Sequence, residues 1–137
     1  MAQRTYSEVI EAILDHDSRY EKGAYYFVRG ALDFTLKSLK KEGMAGDSKH
    51  VSGQQLLEGI REFALEQFGP LAYTVFQYWG LRESRDFGNI VFNLIEVGVL
   101  GKNDRDDIAD FAEGFDFKQA LLEPFEPEGK TLSFSRN

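Results

Sequence analysis

The sequence predicts a mainly α-helical fold, and two observations carry that expectation. Apolar residues recur three and four apart along most of the chain from Tyr6 to Leu94, the spacing that gathers side chains on one stripe of a helix. These runs open on serine, threonine or proline and, after the first, close on glycine or lysine. Such residues satisfy or tolerate the free backbone groups at helix ends.

The first helix is read over residues 6–15. Thr5 followed by Glu8 has the form of a capping box, and Tyr6, Val9, Ile10, Ile13 and Leu14 make its apolar stripe. His16, Asp17 and Ser18 interrupt the pattern, with Ser18 as the expected cap of a second helix over 19–41. There Tyr20, Ala24, Phe27, Val28, Ala31, Leu32, Phe34 and Leu39 share a broad face, and Lys37, Lys40 and Lys41 suit the negative end of the helix dipole. Gly23 and Gly30 lie inside this helix. Each costs about 1 kcal/mol against alanine, so a close helix crossing is the expected reason for them.

Residues 42–51, with two glycines, read as a loop. Ser52 and Gln55 form a second capping box and open a third helix with Leu56, Leu57, Ile60, Phe63, Ala64 and Phe68 inward. Gly69-Pro70 ends it and starts a fourth helix running to about Trp79, expected to bury Leu71, Val75, Tyr78 and Trp79. Gly80 closes that helix. Ser84 is the expected cap of a fifth helix, over 85–97, which turns Phe87, Ile90, Val91 and Leu94 inward and stops at Gly98.

Residues 99–102 then read as a strand, 103–107 as an exposed acidic turn, and 108–111 as a returning strand. Three helices followed by a hairpin is the order of a winged helix. The competing reading of 108–113 is a short helix capped by Asp107. Phe115-Asp116-Phe117 leads into a brief helix over 118–122. The expected organisation is one helical domain over 1–122, with a winged-helix-like core at about 50–113 and a two-helix extension before it. Residues 123–137, with two prolines and a glycine, read as a flexible tail.

Composition narrows the function. Apolar residues make up 42% of 137 and aromatics 14%, enough for a real core in a chain of single-domain length. There is no cysteine, which removes disulfides, thiolate zinc sites and cysteine nucleophiles. The first residues lack the apolar run of a signal peptide, and no apolar stretch is long enough to cross a bilayer. A soluble cytoplasmic protein is expected.

The formal charge of −7 argues against nucleic acid as a partner. It weighs most where a winged helix would read DNA. The outward face of the fifth helix is Arg85, Asn89, Phe92, Asn93 and Glu96, and two asparagines four apart have the chemistry to contact adenine edges. Yet residues 82–117 hold nine acidic side chains against four basic ones, where phosphate contacts would be needed. The same five residues, an aromatic ringed by amides and charges, suit a protein partner better. Packing of Phe92 against the tail or the first two helices is the alternative.

Metal and catalytic readings find little. Asp104, Asp106, Asp107 and Asp110 resemble a calcium loop, but Ala109 and Phe115 stand where glycine and a bidentate glutamate are required. His16 and His50 are the only histidines and lack a third ligand. Asp86-Phe87-Gly88 matches a kinase tripeptide without the other kinase elements. No cofactor or metal is expected. A non-enzymatic module that binds another protein, or itself as a homodimer, leads over a DNA-binding regulator and over an enzyme pairing a carboxylate with His50.

Several segments also carry a likeness: Ala24-Tyr25-Tyr26-Phe27-Val28, His50-Val51-Ser52-Gly53-Gln54, Phe68-Gly69-Pro70-Leu71-Ala72, Asp86-Phe87-Gly88, Ile90-Val91-Phe92-Asn93-Leu94 and Phe115-Asp116-Phe117. Together, over residues 6–121, the chain resembles a family of conserved hypothetical bacterial proteins of the planctomycete and verrucomicrobial lineages. That resemblance implies a bacterial cytosolic protein of unassigned activity, with no catalytic or binding residues to carry over.

Overall fold

A computed structural model of the chain describes residues 4–41, 43, 51–100 and 108–126. It is mainly helical: α1 (Tyr6–Leu14), α2 (Lys22–Lys41), α3 (Gly53–Phe68), α4 (Ala72–Tyr78) and α5 (Ser84–Glu96), with shorter helical turns between and after them. Both capping boxes form as the sequence predicts. Thr5 Oγ1 accepts from the Glu8 amide while the Glu8 carboxylate accepts from the Thr5 amide, and Ser52 and Gln55 repeat the exchange. Gly69 takes a φ of +52° at the end of α3, and Pro70 lies in the helical turn that leads into α4.

The long helix α2 packs along α3 and also meets α1 and α5. Their shared core is aromatic. Phe27 of α2 has ring centroids of Phe63, Phe68, Phe76 and Trp79 within 5.4–5.9 Å. Phe76 extends the cluster to Phe87 at 5.2 Å and Phe117 at 5.1 Å. Tyr25, Phe76 and Phe87 are fully buried, each removing a large area from water.

Glycines set how closely these helices approach. An added Cβ at Gly30 would lie 3.0 Å from the Phe63 ring, and one at Gly23 would overlap the Trp79 indole, in line with the close approach expected of both. The tightest crossing is elsewhere. A Cβ at Gly59 of α3 would overlap Thr35 Oγ1 and lie 2.9 Å from Thr35 Cβ. Thr35 is buried, and its hydroxyl donates to Ala31 O one turn back at 2.7 Å.

Four expectations need correction. First, α2 starts at Lys22 rather than residue 19, because Asp17 holds the preceding turn. Its carboxylate accepts from the Arg19 amide at 3.2 Å and from both ends of the Arg19 guanidinium at 3.0 and 2.8 Å. Second, Ser84 is the first residue of α5 rather than its cap. Its hydroxyl donates to Phe115 O, while the Asp86 carboxylate accepts the amides of Arg82 and Glu83.

Third, α4 turns inward Ala72 and Phe76, leaving Leu71 63% and Tyr78 76% exposed. Fourth, no wing is found: the described residues contain no strand, and Ile108–Phe111 is a 3₁₀ turn. Among the described residues, no strand lies beside this segment to pair with it. The Gln54 side-chain amide instead donates to Asp110 O at 2.7 Å and, just past the turn, to Glu113 O at 3.1 Å. The turn drives Phe111 into a notch between Gly53 of α3 and Gly88 of α5, where an added Cβ on either glycine would lie within 3.1 Å of it. The helical alternative for this stretch holds only as far as Phe111, and its expected cap, Asp107, lies outside the described residues.

Residues 101–107, with the acidic turn, lie outside the described residues. So does His50. Beyond the turn, Lys118–Leu122 forms a π-helical turn whose first amides are met by Asp116, which accepts from the Gln119 amide at 2.9 Å. Leu121 is fully buried. The stretch read as a tail begins with one more helical turn, Glu123–Phe125; residues 127–137 are outside the described set. No described helix is long and apolar enough to cross a membrane.

Candidate functional site

The five residues singled out on α5 divide into two groups. Arg85 and Glu96 are exposed, and Phe92 is 43% exposed between them. Asn89 and Asn93 are half-buried and their amides point back into the molecule. Asn89 Nδ2 donates to the Tyr20 hydroxyl at 2.9 Å, and that hydroxyl donates to Asp86 Oδ1 at 2.7 Å. Asn93 Nδ2 donates to Asp17 Oδ2 at 2.8 Å and to the Tyr25 hydroxyl at 3.0 Å. The four-residue spacing that suggested base reading therefore forms a ladder from α5 to the α1–α2 turn.

The ladder is electrostatically settled. Burial pushes the Tyr20 phenol up to about 12, so it stays a proton donor to Asp86 at any ordinary pH. Burial likewise raises the Tyr25 phenol. Asp17 is held well below the usual carboxylate range, first by its hydrogen bonds from Arg19 and then by the one from Asn93. A carboxylate whose native pKa is depressed contributes stability above its unfolded pKa and loses it as pH falls through the native value. Asp17→Asn is accordingly expected to lower stability by about 1 kcal/mol at pH 7, Arg19 being too exposed for more. The gap should close progressively below the unfolded pKa near 3.8. Urea titrations at pH 7 and pH 3 measure this; an equal gap at both would remove Asp17's charge from the account.

The kinase-like tripeptide is accounted for in the same way. Asp86 caps α5, Phe87 fills the core, and Gly88 admits Phe111. Its three residues are all engaged in holding the fold.

A second exposed apolar feature was not anticipated. Leu71, in the turn that leads into α4, and Tyr78 at its end are exposed, as is Thr74 between them. Among the described residues no three metal-ligating side chains gather, and His16 is exposed. No family model, curated protein or solved structure matches this chain. Its function has to be read from these residues, and the likeness to a bacterial family rests on the sequence segments alone.

Proposed function

We propose that the protein is a non-enzymatic, cytoplasmic interaction module that binds another protein through the outer face of α5, with Phe92 as the central contact and Arg85 and Glu96 at its edge. The observation that carries this reading is the exposure of Phe92 on a helix whose Asn89 and Asn93 are tied into the scaffold. A rigidly held aromatic loses little freedom on binding, the property that makes such residues dominant in interfaces. The acidic segment 103–107, which the sequence reading joins to this surface, lies outside the described residues. A DNA-reading role for α5 is disfavoured because the two amides with base-reading chemistry already donate inside the molecule.

A specific observation favours a second reading, self-association through α4: Tyr78 and Leu71 are the most exposed of the large apolar residues described. The two faces separate by mutation. Phe92→Asp is expected to abolish capture of a partner that Tyr78→Asp still retains, and neither should alter the helical circular dichroism. Sedimentation of the wild type as a dimer that Tyr78→Asp makes monomeric would favour the α4 face instead. Recovery of the same partner by Phe92→Asp and wild type removes α5 as the contact surface.

A further inference from the structure

A cavity of about 370 Å³ opens between α1, α2 and the end of α5, within the range of small-ligand sites. Its apolar walls include Val9, Val28, Leu32 and Leu94, of which Val28 and Leu94 are essentially inaccessible. Two cations, Arg4 and Arg29, line the same cavity. Neither is paired with a described carboxylate, although acidic residues outnumber basic ones 23 to 16 in the chain.

The cavity's polar end is organised in advance. The Tyr6 hydroxyl donates to Tyr25 O at 2.6 Å, and its ring meets Tyr26 edge-on at 5.3 Å. The Arg29 guanidinium lies 4.6 Å from the Tyr6 ring centroid. Stacking of this kind orients a guanidinium while leaving its N–H fork free to donate. An apolar cavity with two guanidinium groups that no described carboxylate pairs matches a ligand that is apolar at one end and anionic at the other.

We infer that this cavity binds a small monoanionic amphiphile, a carboxylate held by Arg29 and Arg4 with its hydrocarbon chain over Leu32, Val99 and Leu100, above the buried Val28 and Leu94. The planar guanidinium fork suits a carboxylate, which can accept two parallel hydrogen bonds. The net charge of −7 favours a single negative charge over a double one, since long-range repulsion grows with ligand charge. The site lies apart from the proposed protein-binding face: Leu94 is about 200° around α5 from Phe92. Either assignment can fail without the other.

The test is titration of the full chain with octanoate, octanol and acetate, read by amide chemical shifts. Octanoate should saturate one site and shift Val28, Leu32, Leu94 and Val99. Octanol, without the charge, and acetate, without the chain, should each bind at least about ten-fold more weakly, as loss of a charge-assisted contact or of the buried chain requires. Arg29→Gln, a change at an exposed side chain, should reduce octanoate affinity about ten-fold and leave octanol unchanged. Equal binding of octanoate and octanol, shifts confined to another face, or undiminished octanoate binding by a folded Arg29→Gln variant would overturn the inference.

Discussion

Gly59→Ala is expected to destabilise the protein by about 3 kcal/mol, at the upper end of ordinary overpacking, and to lower Tm by about 10 °C. One methyl group has so large an effect because it has nowhere to go. It would occupy the place of Thr35 Oγ1 and crowd Thr35 Cβ at 2.9 Å. Rotating the threonine exchanges its hydroxyl for a methyl in the same space and gives up the bond to Ala31 O. The alternative is to move α3 away from α2, which loosens the packing of Phe27 against Phe63. Thr35→Ala alone should change stability by less than about 1 kcal/mol, since it removes one intrahelical bond and leaves a good helix former. The double variant should regain more than half of the loss. Urea denaturation of the four proteins gives the coupling directly; additive effects would mean that Thr35 is not what Gly59 accommodates.

Phe76→Ala is expected to cost about 4 kcal/mol. The side chain is fully buried and its ring meets Phe27, Phe87 and Phe117 at 5.1–5.5 Å. It therefore joins α2 and α5 to the segment that follows residue 111. Truncation leaves a cavity that rings held on three different elements cannot close together. The consequence should be unequal along the chain. Phe117 loses its nearest aromatic neighbour, so amides of Lys118–Leu122 should exchange with solvent faster, relative to wild type, than those of α3. Phe92→Ala, on an exposed face, should stay within about 1 kcal/mol of wild type. Uniform acceleration of exchange would mean that Phe76 supports the whole domain rather than this junction.

What the sequence disclosed was mostly what is decided locally. The capping boxes at Thr5 and Ser52 involve groups three residues apart, so their chemistry is visible in a short window. The stripes of α3 and α5 are read correctly because their opposite faces, Phe92 apart, are mostly polar. Helix α4 defeats the same reasoning. Leu71, Tyr73, Val75, Phe76, Tyr78 and Trp79 surround it with apolar groups, and its short length gives periodicity little to choose between. The stretch Ile108–Phe111 is ambiguous for the same reason: four residues fit a strand or a turn, and the decision lies with Gln54 and two distant glycines. The candidate site was legible in its residues but not in their roles. Asn89 and Asn93 find partners 69 and 76 residues away in sequence, and only the packing of α5 beside the α1–α2 turn brings them together. Arg4 and Arg29 carry no local sign of a shared cavity.

The chain contains a single tryptophan, and its position gives it a use beyond packing. Trp79 rests on Gly23 where α2 begins, its carbonyl accepts the Glu21 amide at 3.1 Å, and its ring lies 5.5–6.4 Å from those of Phe27, Phe68 and Phe76. The indole is thus a native optical gauge of the junction between α2 and α4. Its emission should shift to longer wavelength when that junction opens and water reaches the ring. Events at Phe92 or in the arginine-lined cavity, which do not touch it, should pass in near darkness.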